Sequence, residues 1–438
     1  MRIAVVGSGI SGLVAASLLS NRHEIVLFEA DNRIGGHVNT VDVSNGGDNL
    51  AIDTGFIVYN DRTYPHFSQI LEQLDVETVP TSMSFSVRCD RTGLEYNGTS
   101  LNGLFAQRRN LVRPSFLRML RDILRFNRAG RADLECVPED QTVRQYLQQK
   151  GFSDHFAQQY LLPMGAAIWS CPYADFENFP IRFILEFYVN HGLLSITDRP
   201  QWRVIQGGSN RYVERLSAPF RDHIRTNCSV RSVSRQADQV RVVYDGGDQL
   251  FDEIVFACHS DQALRLLADA DELETELLSA FPYSKNSAVL HTDVSLLPKR
   301  RTAWASWNYH ISRMESSRPT LTYNMNILQN IQSKHTYCVT LNEERDIAED
   351  KVIARFRYSH PIFTTNRSAI QRRHGEVIRR RQTSFCGAYW RNGFHEDGVV
   401  SALAVCRKFG IEDLSSIGRH RPIEICSRPA IATESQNA

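Results

Sequence analysis

An α/β fold built on a parallel sheet, with a second α+β domain inserted in pieces, is predicted by three observations. Arg2-Ile-Ala-Val-Val6 is a short β-branched run that enters a glycine-rich turn, then an apolar helical pattern, then a second such run, within about thirty residues. Two later blocks, beginning near 201 and 381, again combine strand-like runs, Gly-containing loops and helical patterns. The intervening segments hold bulky aromatics such as Trp169, Phe179, Phe183, Phe187, Tyr188, Trp304 and Trp307, as the wall of an apolar pocket would.

The first block carries the chemistry. The opening strand leads into Gly7-Ser8-Gly9-Ile10-Ser11-Gly12, a GxGxxG turn, followed by Leu13, Ala16 and Leu19 at helical spacing. A second strand, Glu24 to Phe28, ends in Glu29. Strand, GxGxxG, helix, strand and acid in this order form a dinucleotide-binding fingerprint of the Rossmann type. Gly7 permits the tight turn, Gly9 lets the backbone approach a pyrophosphate, and Gly12 lets helix and strand pack closely. The start of the helix offers free N–H groups and a positive dipole end to the phosphates. Glu29 is placed to accept from ribose hydroxyls and disfavours a 2′-phosphate.

Glu29-Ala30-Asp31-Asn32-Arg33-Ile34-Gly35-Gly36-His37 resembles the extension found in FAD-containing amine oxidases, phytoene desaturases and protoporphyrinogen oxidases. The resemblance implies a Rossmann-like FAD-binding domain of the glutathione-reductase/amine-oxidase type. It implies that Ser11 and Ala30 join Gly7, Gly9, Gly12 and Glu29 around the dinucleotide. Arg33 would then face the pyrophosphate, Gly35 and Gly36 would run beside it, and His37 would sit against the flavin edge. Asp53-Thr54-Gly55-Phe56 resembles a turn near the isoalloxazine, and the backbone near Val230 would meet the adenine. The third block, Phe385-Cys386-Gly387-Ala388-Tyr389-Trp390 through His395-Glu396-Asp397-Gly398-Val399, is similar to the closing strand, loop and helix of amine oxidases. There the helix start points at the flavin pyrimidine edge. Relatives usually carry an acid where Ala388 stands, so that polar contact is either missing here or moved to Asp397. FAD is expected to be non-covalent. Cys386 is the thiol near enough to the flavin for a mass measurement of the denatured protein to be worthwhile.

Three blocks on one cofactor predict an FAD domain at 1–75, 200–282 and 383–415. The substrate domain is expected at 76–199 and 283–382, and a flexible tail at 416–438. Asp245-Gly246-Gly247 marks a hairpin, and the acidic stretch Asp261 to Leu278 reads as one solvated helix.

The chain has 50 basic and 49 acidic residues, which excludes a globally basic nucleic-acid binder. Forty-four of the basic residues are arginine. Nine cysteines without a CxxC pair argue against a disulfide framework or structural zinc, and the 14 dispersed histidines show no metal-ligand spacing. With no signal peptide and no apolar span, a cytoplasmic protein is expected, peripheral to the inner membrane face at most. Oligomeric state is not legible.

Thr54-Gly-Phe-Ile-Val-Tyr59, Leu162-Pro-Met-Gly-Ala-Ala-Ile-Trp169, His191-Gly-Leu-Leu194 and Cys386-Gly-Ala-Tyr-Trp390 resemble a bacterial subfamily of FAD-dependent amine-oxidase-like proteins. Members are often linked to cyclopropane-fatty-acid-synthase-like methyltransferases, which points toward a lipid substrate without settling the reaction. Residues 108–131 hold eight arginines and one acid. Pro114 to Ala129 has a helical pattern with an arginine stripe. Two readings stand: a helix with its arginine face in water, weighed ahead, and a helix lying on an anionic membrane. The leading chemical reading is oxidation of a C–H or C–N bond in an apolar, lipid acyl substrate by hydride transfer to flavin N5. Tyr389, Trp390 and His395 are the catalytic candidates. The alternatives are a redox-neutral flavin-dependent isomerase and a non-catalytic flavoprotein partner of a lipid-modifying methyltransferase.

Overall fold

The computed structural model describes residues 1–419 apart from 46, 196–198, 313–319 and 344–345. Its central sheet has five parallel strands in the order Ile224–Arg225, Glu24–Phe28, Arg2–Val6, Glu253–Phe256, Thr383–Phe385. The inner strands are apolar on both faces, as a sheet covered on both sides requires. One cover is the helix Ile10–Leu19, in which every residue is buried. The helix His395–Arg407 lies against it. The approach is close enough that a Cβ on Gly398 would stand 2.7 Å from Ile10 Cγ2.

The hairpin expected at Asp245-Gly246-Gly247 joins Val240–Tyr244 to Gly247–Phe251, with Val230–Arg235 completing a three-stranded antiparallel sheet. Segments on either side of this block meet in a seven-stranded sheet. Phe85–Cys89 pairs in parallel with Trp307–Ile311, with Trp307 opposite Phe85, so residues more than two hundred positions apart share one face.

Two expectations are corrected. The stretch from Asp261 to Leu278 is not one solvated helix but two, Ser260–Leu266 and Glu272–Ser279. Asp271 restarts the helix by accepting from Glu274 N, and Glu274 accepts from Asp271 N, closing a capping box. Nor is Glu274 solvated: its carboxylate is 1% exposed and accepts two bonds from Arg235, whose side chain is 2% exposed. The flexible tail expected from 416 does not begin there either. Ile417 is buried and Gly418 N donates to Ser17 Oγ at 3.0 Å, so the chain stays packed on the first helix. Residues 420–438 of that tail lie outside the described residues.

No helix among the described residues is long and apolar enough to cross a membrane.

Candidate functional site

The carboxyl ends of four parallel strands open on one cavity of about 1480 Å³. Gly7, Glu29, Ala257-Cys258-His259 and Gly387 follow those strands and line it. Ligands of open α/β sheets bind at this edge.

The glycine turn is built as its spacing required. Gly7 has φ +102°, and a Cβ on Gly12 would lie 1.9 Å from Gly7 O. Gly9 differs from both. It borders the cavity at the N-cap of the first helix, and a Cβ there would meet nothing within 4 Å. No side chain caps this helix, so its first N–H groups remain available. Gly36, at φ +60°, backs onto Gly9, where a Cβ would come within 2.9 Å of Gly9 Cα. Arg33 braces this loop by donating to Val38 O at 2.7 Å and Gly36 O at 2.9 Å, and it also lines the cavity. Glu29 accepts from Ser8 N at 3.0 Å, Ser8 Oγ at 2.5 Å and Asp31 N at 2.9 Å, which fixes its carboxylate at the strand end.

His37 is half-buried on the cavity wall. Burial, with His259 nearby, pushes its pKa down to about 4, so the ring is neutral at pH 7. Its Nε2 has no partner among the described residues. His360 and His259 stand 5.2 and 6.0 Å away, ring to ring, and Tyr358 stacks on it at 5.4 Å. Burial brings His360 down to about 3 and His259 to about 4. A wall of neutral imidazoles and phenols therefore follows the glycine turn. Free N–H donors, a fixed carboxylate, a glycine whose side-chain direction is empty and an orphaned buried ring nitrogen together fit a dinucleotide cofactor.

Ser11, Ala30, Gly35, Gly55, Phe56, Val230, Gly387, Tyr389 and His395 also line the cavity. Gly12, Asp53, Trp390, Asp397, Gly398 and Val399 do not. Asp53 is buried behind it, accepting from Ser209 N at 2.9 Å, Ser209 Oγ at 2.9 Å and Thr40 Oγ1 at 2.6 Å. It ties the first block to the second rather than reaching into the cavity. Asp397 accepts from Phe394 N at 2.9 Å, capping its helix, and Arg391 lies 3.6 Å away. Gly398 and Val399 pack on the first helix and in the core. Trp390 stacks on His374 at 4.3 Å, while the neighbouring Tyr389 has a buried hydroxyl that meets no hydrogen-bond partner among the described residues. His395 stacks on Phe56 at 3.5 Å, its Nε2 3.0 Å from Tyr212 OH. Burial holds it neutral, well below the usual histidine range.

Beyond this end the cavity becomes an apolar chamber walled by Met83, Phe85, Met164, Ile168, Trp169, Phe187 and Trp307. Phe179, Phe183, Tyr188 and Trp304 lie outside it. His191, which opens one of the subfamily phrases but is not among the site candidates, also lines it. Its Nδ1 lies 2.9 Å from Phe187 O, and burial lowers its pKa to about 4. A carbonyl only accepts, so Nδ1 carries the proton and the neutral ring keeps an unprotonated Nε2. His259 was missed too, although it follows the third strand end of the sheet and the strand-end rule would have found it. His360 and Tyr358 carried no local signal, since the seven-stranded sheet brings them in. The carboxylates on the cavity wall are Glu29 and Asp31, both at the dinucleotide end.

The sequence pattern of flavin containing amine oxidoreductases matches residues 10–304. A fatty acid isomerase from P. acnes that produces CLA has the same fold, with TM-score 0.67 and 15% identity over 93% of this chain and 98% of that one. Cyclohexylamine oxidase from Brevibacterium oxydans gives TM-score 0.66 and 14% identity over 93% and 99%. An L-amino-acid oxidase from Mus musculus is 52% identical over 40 residues, so the match covers 9% of this chain and 6% of that relative's length. The glycine turn, the cradle behind it and a family match over two thirds of the sequence lead to one assignment: the chain belongs to the flavin-containing amine oxidoreductase family.

Proposed function

We propose that this protein is an FAD-dependent oxidoreductase that removes hydrogen from a C–H bond of an apolar, acyl-chain substrate. The observation that carries this reading is the single cavity that runs from the glycine turn into an apolar chamber without a carboxylate. A cationic amine placed there would lie in a low-dielectric site without a counter-charge, a costly arrangement. An acyl chain makes no such demand, and its burial is favourable at roughly 0.8 kcal/mol per CH₂.

Bound FAD supplies the acceptor for the electron pair leaving the C–H bond. The chain's own residues bind and shield. Gly9 leaves room for the pyrophosphate, Gly36 packs against its backbone from behind, and Glu29 is held where ribose hydroxyls would donate to it. The aromatic wall of Trp169, Phe187 and Trp307 excludes water. His191, on the cavity wall, keeps an unprotonated Nε2 that can accept a proton. FAD held without a covalent bond fits the thiols. Cys386 is buried off the cavity wall with its pKa pushed well up by burial, and burial pushes Cys258, which is on the wall, to about 12.

Anaerobic mixing of the purified yellow protein with unsaturated acyl lipids and, separately, with amines tests the reading. Bleaching by an acyl lipid and not by amines is expected. Bleaching by amines alone overturns the substrate class, and acyl product without bleaching replaces oxidation with isomerisation. Release of free FAD on denaturation is expected, and protein mass increased by FAD would overturn non-covalent binding.

A further inference from the structure

Eight large apolar side chains stand out as exposed among the described residues, and five of them fall in one stretch: Leu101, Leu111, Val112, Leu117 and Leu124. Leu101 and Val112 are 77% and 80% exposed, values a folded chain rarely tolerates in a cluster without a partner. The same stretch holds the basic helix Pro114–Asp133, whose inner face, Phe116, Met119, Phe126 and Gly130, is buried.

The arginines here differ from those of a second basic cluster, Arg372, Arg373 and Arg379 to Arg381. That cluster is paired: Arg372 lies 4.0 Å from Glu139, and Arg373 pairs with Glu276, Arg379 with Glu253, Arg380 with Asp271 and Arg381 with Asp269. On the 114–133 helix, Arg118, Arg121, Arg128 and Arg131 are exposed and have no ion-pair partner among the described residues, and only Arg125 has one, Asp122 at 3.6 Å. Charge that is paired in that second cluster has no acidic partner here, among the described residues, beside the exposed leucines. The cavity reaches this surface: Leu101 and Leu104 on one side and Leu120, Ile123 and Leu124 on the other line it, so Leu101 and Leu124 both border the cavity and face solvent.

We infer that the surface formed by residues 101–131 docks on an anionic phospholipid bilayer, with the mouth of the cavity facing the lipid. Unpaired arginines meet the headgroup charge, while Leu117, Leu124, Val112 and Leu101 enter the headgroup–acyl boundary. A soluble protein partner would supply acids but would not call for leucines at a cavity mouth. Docking stands on this geometry alone. Passage of an acyl chain through the mouth rests on the proposed function.

Cosedimentation of the full chain with vesicles of phosphatidylcholine, with and without phosphatidylglycerol, tests the docking. Binding to the anionic vesicles only is expected, weakening with salt. Combined Arg118→Gln, Arg121→Gln and Arg128→Gln should reduce the partition coefficient roughly a hundredfold, at about fivefold per charge removed, while flavin absorbance per chain stays unchanged. Arg372→Glu, on the paired cluster, should leave it unaltered. Leu124→Trp should be quenched by brominated anionic lipid beyond the native tryptophans. Equal binding to both vesicles, no binding to either, self-association through this face instead, or an undiminished triple variant each overturns the inference. Acyl lipids that fail to bleach the flavin while docking persists would overturn the proposed function alone.

Discussion

Single residues of the glycine turn separate folding from binding. Gly12 and Gly9 are three positions apart and carry opposite costs. A methyl at Gly12 meets backbone oxygen at 1.9 Å, so Gly12→Ala should lower unfolding stability by about 3 kcal/mol or more by overpacking. At Gly9 the Cβ direction is empty, φ is −66°, and the space is the cavity. Gly9→Leu should therefore keep the fold, read by far-UV dichroism, and lose flavin content, read by visible absorbance, at least about tenfold. Retained flavin would remove the pyrophosphate from this site. Asp53 gives a titration signature. Burial raises its carboxyl to about 6 against hydrogen bonds from Thr40 and Ser209 that lower it. Its folded value thus exceeds the ordinary 3.8, the native state binds more protons between pH 4 and 6, and stability falls as pH rises through that window. Asp53→Asn carries no charge there. Its unfolding free energy should gain on the native chain's, from pH 4 to 7, by on the order of 2–3 kcal/mol. Parallel pH profiles would mean that the Asp53 charge is not desolvated.

At the scale of elements, capping and pairing decide what periodicity leaves open. The acidic stretch near 261–278 has continuous helical pattern, and the break between its two helices comes from the Asp271–Glu274 box. Glu274 then looks inward because Arg235 is there. Arg235 also lies 2.9 Å from Asp269, making a pair that joins the three-stranded sheet to the second acidic helix. Arg235→Ala would strand a buried carboxylate, so denaturant unfolding should show a loss of about 3–5 kcal/mol. A loss under about 1 kcal/mol would mean water reaches Glu274. The strands of the dinucleotide half were legible because buried parallel strands are short uninterrupted apolar runs. The partnership of Phe85–Cys89 with Trp307–Ile311 was not, since pairing across two hundred residues leaves no local mark.

For the whole molecule, the chamber sets the prediction. Ile168 lines it from the helix Leu162–Trp169, beside Trp169. Ile168→Trp adds bulk into open space, so kcat/KM for long acyl chains should fall at least about tenfold, with shorter chains less affected and flavin content unchanged. An equal loss for all chain lengths would place the acyl tail elsewhere.

The sequence by itself determined the fold class, the dinucleotide cradle and the basic amphipathic helix. Each is local: Gly7 to His37 is one strand–turn–helix–strand unit whose chemistry is complete in contiguous residues, and a helix stripe is set by spacing alone. Tertiary structure alone decided which of the later candidates reach the cavity. Tyr389 does and Trp390 does not, and Asp397 caps its own helix instead of meeting a ligand. It also decided that His37, His259 and His360 share one neutral wall, that the chamber lacks carboxylates among the described residues, and that Arg118, Arg121 and Arg128 find no acid among them while the arginines near 380 are paired. These outcomes depend on sheet register and on which side chains burial forces together, and neither is encoded by neighbours along the chain.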